Sequence, residues 1–311
     1  MNIKPSNNPY IIGYNKIFFE LKKLFDNDIL PNKIIFSGIS GIGKSTLAYH
    51  LTNYIFSKEE SNKYDSTKNL ILSNNKSYNL ILNNSHPNFF LITNEDEKKN
   101  IQISKIREMI NFTNKSSFND GYKIILINNI EYLNSNSTNA LLKIIEEPND
   151  KILFFLIHNN KAKILNTLKS RCITFNLFLN NEDKLKVINK ILNSEFYKDL
   201  NNDFKNNYNS PGDIISLYNF FNSNNIQSGL SIDDVLKLII DKKLYKKDPF
   251  LKDKLSFLIE LYFNKKFFYF KPKNKIYGLY KYFLKKIDDS NKYNLDIENV
   301  LIELNGRLLS E

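Results

Sequence analysis

One eight-residue run constrains the fold more than any other feature of the chain. Gly38-Ile39-Ser40-Gly41-Ile42-Gly43-Lys44-Ser45 fits the pattern G-x-x-x-x-G-K-[ST], and its flanks are the ones the pattern needs. The apolar run KIIFS (33–37) precedes it, and KSTLAYHLTNYIFS places apolar residues at helical spacing after it. Glycines let the backbone curl so that successive N–H groups face phosphate oxygens, and the following helix N-terminus adds its dipole. Lys44 is placed to reach the β- and γ-phosphates, and the Ser45 hydroxyl to ligate Mg²⁺. The residues read as holding ATP or ADP are therefore Gly38, Gly41, Ile42, Gly43, Lys44, Ser45 and Thr46. Three of the nine glycines fall within six residues here, which makes a chance turn before Lys-Ser the weaker explanation.

Around that run the first half of the chain alternates. NFFLIT (88–93), YKIILIN (122–128), KILFFLIHN (151–159) and CITFNL (172–177) read as strands. ISKIREMINFTNKS and SNSTNALLKIIEEP read as helices, the latter with a Ser or Thr cap and a proline stop. Strands separated by helices predict right-handed crossovers and a mostly parallel sheet covered on both faces. Residues 58–85 are polar with two short apolar islands and read as an insertion of undefined structure. Beyond about Asn180 the spacing is helical almost throughout: NEDKLKVINKILN and SPGDIISLYNFF, then a polar linker at 222–231, then amphipathic helices to Glu311. Their Tyr and Phe stripes are expected to be packed core, with any surplus serving subunit contacts.

Composition excludes several classes. The single cysteine, Cys172, rules out an internal disulfide framework and a cysteine-rich zinc cluster. With no apolar run near the roughly 20 residues that span a bilayer, the chain reads as soluble and cytoplasmic, with no membrane partner. A net charge of +11 invites a nucleic-acid reading. However, 49 Asn and 41 Lys against three Arg, alongside abundant Ile, Phe and Tyr, also mark an AT-rich coding sequence, so much of the Lys excess is a solvated face.

At the end of the strand 122–128 stand Asn128 and Asn129, where nucleotide hydrolases place the acid that holds Mg²⁺ and the acid that activates water. An amide carries no charge for a hard cation and cannot take a proton. Losing a positioned base costs about 10²–10⁴-fold in rate, so the chain's own turnover is expected to be weak or absent. Glu131 is a conceivable displaced base; an exposed turn carboxylate is the plainer reading. His158 and Asn159 end the strand 151–159 near the same edge, His158 equally suited to capping or packing. His50 and His86 suggest no chemistry.

The series LPNKIIFSGISGIGKSTLAYHL, HPNFFLI, ISKIREMINF, GYKIILINNIEYLNSNSTNALLKIIEEP and FFLIHNNKAKILNTLKSRC resembles the AAA+ clamp-loader family of bacterial DNA polymerase III, on its delta-prime side. The resemblance is strong over 9–178, continues through NSPGDIISLY and is weak in the last eighty residues. It implies an α/β AAA+ domain over 1–178, a small helical lid over 179–228 and an all-α C-terminal collar over 229–311. Three features point to the delta-prime side: the amides at 128 and 129 where the motor subunits carry acids; Gly212, within a delta-prime-like Ser-Pro-Gly, where the gamma and tau motor subunits carry an arginine that touches nucleotide; and Ser170-Arg171-Cys172. By the same resemblance Arg171, in Ser170-Arg171-Cys172, is an arginine finger lent in trans to a neighbour's ATP, with a structural arginine before a strand as the alternative, and His158 and Asn159 lie where the family places a residue that senses the nucleotide. The family's four-cysteine zinc module has no counterpart in 55–87. The implied partners are the motor and delta subunits, the sliding clamp indirectly, and primed DNA through the assembled complex. Two other readings stay open: an active gamma/tau-like motor ATPase, and a DNA-binding protein with a vestigial phosphate loop.

Overall fold

The computed structural model describes residues 4–94, 100–146, 151–160, 162–192, 196–205, 209–269, 273–293 and 295–309. They divide into two compact units. The first is Met1–Val187 with Ser210–Gly212; the second is Ile188–Asn209 with Asp213–Glu311.

The first unit is built on five strands, β1 (Lys33–Ser37), β2 (Phe89–Ile92), β3 (Lys123–Ile127), β4 (Ile152–His158) and β5 (Ile173–Asn176). All four pairings are parallel, in the order β2-β3-β4-β1-β5. The near-continuous Ile, Leu and Phe runs of β3 and β4 are those of strands buried on both faces. Alternation sorts them: Ile34, Phe36, Ile124, Leu126 and Phe155 join one core layer, and Ile35, Ile125, Ile127, Phe154 and Leu156 the other. Helices α1 (Asn15–Asp26) and α2 (Lys44–Phe56) cover the first face. The second is covered by α4 (Ile103–Asn114) and α5 (Ser135–Glu146), named here after the short α3 (Lys76–Leu82).

Helix α1 is the element that sequence analysis leaves unassigned, although Phe18, Leu21 and Phe25 stand at helical spacing and all three are buried. Helix α6 (Asn166–Lys169) is a single turn. The expected proline stop at Pro148 lies outside the described residues. The segment 58–85, which the sequence leaves without a defined structure, is a built piece with α3 inside it. Asn75 caps α3 by accepting from the Tyr78 N–H at 2.7 Å, accepts from the Asn53 amide at 2.8 Å, and donates to the Asn62 carbonyl at 2.7 Å. The Glu60 carboxylate accepts from the first N–H groups of α3, at Lys76 and Ser77. Ile71, Ile81 and Tyr64 then carry the segment into the first core layer.

The second unit is helical. Helices α7 (Asn181–Leu192) and α9 (Pro211–Ser223) cross the boundary, and α8 (Phe196–Asp199), α10 (Ile232–Asp241), α11 (Pro249–Tyr269), α12 (Lys273–Tyr293) and α13 (Glu298–Leu304) lie within the second unit. One core holds them, including Phe204, Phe220, Phe221, Leu236, Leu258, Tyr262, Phe283 and Leu301. The polar stretch 222–231 sends Ile226 into this core, and the Asn201 N–H donates to the Ser228 carbonyl at 2.9 Å. The aromatic stripes divide: Tyr262, Phe263 and Phe283 are buried, whereas Phe268, Tyr277 and Tyr293 are exposed. Among the described residues no helix is long and apolar enough to cross a membrane.

His50 couples this packing to pH. It is fully buried on α2 between the Tyr64 hydroxyl, 2.8 Å from Nδ1, and the Asn8 carbonyl, 3.2 Å from Nε2. Burial pushes its pKa down to about 4. Below its ordinary value near 6.5 the unfolded chain takes a proton that the folded chain refuses, so the stability tied to neutral His50 is present above that pH and lost as pH falls toward 4. The ceiling is about 3 kcal/mol. His86, half-buried and stacked on Phe56, is also pushed to about 4 and acts in the same direction. Denaturant unfolding between pH 7 and 4.5 should show stability falling in the wild type and a shallower fall in His50→Gln.

Candidate nucleotide site

The phosphate loop leaves the carboxyl end of β1 and opens α2, as its sequence demands. A Cβ at Gly38 would lie 2.5 Å from the Leu177 carbonyl oxygen, so only glycine lets β1 turn out of the sheet there. Gly41 and Gly43 hold φ of +79° and +96°, the left-handed region that other residues rarely enter. Gly43 is the N-cap of α2, and Lys44, Ser45 and Thr46 form its first turn. Lys44 is buried, its ammonium donating to the Ile39 carbonyl within the loop. Two more loop carbonyls are held from outside the loop. The Tyr14 hydroxyl donates to Ile42 O at 2.9 Å, and the Gly212 N–H to Gly41 O at 3.0 Å. Among the described residues, the N–H groups of Gly41, Ile42 and Gly43 donate to no other backbone group.

Asn128 and Asn159 come to this edge as expected from sequence. Ser45 Oγ donates to Asn128 Oδ1 at 3.0 Å, joining the start of α2 to the end of β3. Asn129 adopts φ +56°, which Asn tolerates better than most residues. Its amide nitrogen donates to Asn94 Oδ1 at 2.8 Å, and its oxygen accepts from the Asn159 amide. Three side-chain amides, one beyond each of β2, β3 and β4, are thus linked in a row. Glu131 is not the exposed turn carboxylate of the plainer reading: it is half-buried, and Oε2 accepts from the Asn159 N–H at 3.3 Å. His158 is tied up structurally, with Nδ1 3.1 Å from Ser37 Oγ and Nε2 2.9 Å from the Ala162 carbonyl.

These residues fit a nucleotide's phosphates, because the loop is a glycine cradle with unengaged N–H groups at the start of a 13-residue helix. For the accompanying Mg²⁺ they offer Ser45 Oγ and the neutral Asn128 Oδ1. Among the described residues no group of three or more His, Cys, Asp or Glu stands ready to hold a metal ion.

Arg171 is elsewhere. It immediately precedes β5, which runs parallel to β1 with Ile173 opposite Ile34 and Asn176 opposite Ser37. The arginine therefore sits at the amino end of the strands and Lys44 at the carboxyl end, about 15 Å apart along the sheet at roughly 3.3 Å per residue. Its exposed guanidinium pairs with Glu146 at 2.8 Å and donates to the Thr167 carbonyl at 2.9 Å. The neighbouring Cys172 thiol is pushed up to about 11 by burial, which keeps it protonated and unreactive.

Residues 13–180, more than half of the chain, match the family model described as "DNA polymerase III, delta subunit". The chain belongs to this family. Similar curated proteins include the DNA polymerase III subunit delta' of Pseudomonas aeruginosa, 29% identical over 44% of this chain and 40% of the relative, and that of Buchnera aphidicola subsp. Baizongia pistaciae, 30% identical over 47% and 44%. The match spans about two fifths of the length of these relatives. Among solved structures, a DNA polymerase III gamma subunit-related protein from Thermotoga maritima superposes with a TM-score of 0.51 at 15% identity, covering 93% of this chain and 98% of that one. At that identity the likeness is one of fold, a parallel α/β sheet domain followed by helices.

Sequence reasoning about this family member missed Tyr14, Asn94 and Glu146, and read Gly212 only as a missing arginine. Asn94 had a usable signal: in a parallel sheet, residues just past the carboxyl ends of the strands share one edge. Tyr14 had none, since 28 residues separate it from its partner. Gly212 has a steric role, because a Cβ there would lie 2.7 Å from Gly41 Cα. Gly212→Ala should therefore cost about 1–3 kcal/mol in denaturant unfolding. Gly229→Ala, with nothing within 4 Å of its Cβ, is the control and should stay within about 0.5 kcal/mol.

Proposed function

We propose that this chain is a non-motor, delta-prime-like subunit of a replicative clamp loader. It holds a nucleotide weakly or structurally, turns it over slowly or not at all, and lends Arg171 to the ATP of a neighbouring ATPase subunit. In this reading residues 1–178 are the nucleotide domain, 179–228 the lid and 229–311 the collar that joins the ring. Its partners are the motor and delta subunits, and through them the sliding clamp and primed DNA.

The observation that carries the proposal is the row of amides. Where a hydrolase needs a carboxylate to hold Mg²⁺ and another to take a proton, Asn128 binds the Ser45 hydroxyl and Asn129 is bonded on both sides by Asn94 and Asn159. None of these side chains can act as a base at neutral pH. The separation of Arg171 from Lys44 along β5 and β1 supports delivery to another chain, since the arginine cannot reach its own loop. Its ion pair with Glu146 is half-exposed on both sides, a contact worth about 0–1 kcal/mol, and so is readily exchanged for a phosphate.

One observation favours an active motor instead. Among the described residues Glu131 Oε1 is buried with no hydrogen-bond partner, a carboxylate oxygen near the same edge. Its other oxygen is held by the Asn159 N–H, which points to anchoring of the β4–α6 loop.

Steady-state ATPase of the isolated chain separates the two. The expected rate is far below the roughly 1–10³ s⁻¹ of ordinary enzymes and unchanged by Lys44→Ala; ordinary turnover abolished by Lys44→Ala would establish the motor. In a reconstituted loader, Arg171→Ala should leave the circular dichroism of the chain unchanged and lower DNA-stimulated ATPase at least tenfold. Unaltered ATPase and loading rates would remove the finger.

A further inference from the structure

We propose that Tyr14 and Gly212 are positioning groups of the phosphate loop: by holding two consecutive loop carbonyls they fix the next two N–H groups in the orientation that binds the diphosphate of a nucleotide. The inference rests on the nucleotide-binding reading above and adds to it the residues that preorganise the loop.

A trans peptide is planar, with the C=O of one residue and the N–H of the next pointing to opposite sides. Fixing one therefore fixes the other. The Gly212 N–H holds Gly41 O at 3.0 Å, which sets the N–H of Ile42. The Tyr14 hydroxyl holds Ile42 O at 2.9 Å, which sets the N–H of Gly43. Lys44, donating to Ile39 O, sets the N–H of Ser40 in the same way. Three peptide planes of the loop are thus braced on their carbonyl side, and the N–H groups of Ile42 and Gly43 point away from the braces.

The braces are needed because the loop is intrinsically loose. Ordering a residue's backbone costs about 1–2 kcal/mol, and glycine loses more than any other residue. Two of the peptide planes concerned are flanked by Gly41 and Gly43. A loop already held in its binding shape spares the ligand that ordering, which is how preorganisation raises affinity.

Both braces are built into the protein. Tyr14 is buried, and its ring lies against Gly43, where a Cβ would come within 3.7 Å of Cε2. Burial, with the nearby Asp183 carboxylate, raises the hydroxyl's pKa, so it remains a donor throughout the physiological range. At 212 the contact is backbone on backbone. A Cβ on Gly41 would lie 2.3 Å from Ser210 Oγ, and one on Gly212 would lie 2.7 Å from Gly41 Cα, so glycine is required on both sides.

The test is Tyr14→Phe, which removes the hydroxyl and keeps the ring. Affinity for ADP is measured by titration calorimetry, and affinity for inorganic pyrophosphate by displacement of fluorescent ADP. Both measurements are made well below the melting temperature of the full chain. Tyr14→Phe should weaken ADP and pyrophosphate alike by about tenfold, equivalent to about 1.4 kcal/mol. A variant that melts earlier but binds both ligands as the wild type does would make Tyr14 merely structural and overturn the proposal. Weakened ADP with unchanged pyrophosphate would overturn it too, placing Tyr14 on the base. A wild type that binds neither ligand would instead overturn the nucleotide reading, and the inference with it.

Discussion

The first turn of an α-helix leaves backbone N–H groups without intrahelical acceptors, and the nucleotide edge of this protein is arranged around that constraint at the start of α2. β1 must end in residues that can turn sharply, which Gly38 does against the Leu177 carbonyl. The loop must then keep its carbonyls occupied without occupying its N–H groups. Lys44, Gly212 and Tyr14 do this from within the loop, from the first turn of α9 and from the residue before α1. Two segments far apart in sequence, at Tyr14 and Gly212, are thereby tied to one eight-residue run. The loop becomes a structural hub of the first unit as well as a candidate ligand site.

The amides at the same edge follow from electrostatics. A carboxylate at 128 or 129 that lacks a cation partner pays a desolvation penalty, and two carboxylates close together each raise the other's pKa. Side-chain amides avoid both, because each is donor and acceptor at once. Asn129 uses both capacities, donating to Asn94 and accepting from Asn159. Its left-handed backbone, φ +56°, adds a second reason for Asn at that position. Where a hydrolase stores charge for chemistry, the side chains at 94, 129 and 159 are here a neutral hydrogen-bonded row that links three strand ends.

Much of this was legible in the sequence, for identifiable reasons. β1 and α2 could be read because the glycine pattern fixes strand before and helix after, and β3 and β4 because buried parallel strands are continuous apolar runs. Asn128 and Ser45 could each be placed beside the phosphates because one ends a strand and the other opens the helix after the loop; their hydrogen bond itself was not legible. Helix α1 carries no start signal, since Tyr14 precedes it without a side-chain cap and its first turn has no acid, so only the spacing of Phe18, Leu21 and Phe25 marks it. The structure of 58–85 could not be read: its order comes from Asn75 and Glu60 bonding across 13 to 22 residues, and such pairings have no periodicity. Tyr14 and Gly212 were invisible for the same reason, since each acts on the loop through a single long-range hydrogen bond.

The parallel sheet also explains why the loop and Arg171 are held apart. Strands that all run in one direction gather their carboxyl ends at one edge and their amino ends at the other. The loop, Asn128, Asn129 and Asn159 follow strand ends, whereas Arg171 precedes one. No side-chain rotation brings an arginine across the full height of β5, since its side chain spans about 7 Å while the edges are roughly 15 Å apart. Whatever phosphate Arg171 meets therefore belongs to another molecule, and whatever the loop holds must be served by residues other than Arg171. Under the proposed function, that separation would let Arg171 serve a neighbour's phosphate independently of what the loop of this chain holds.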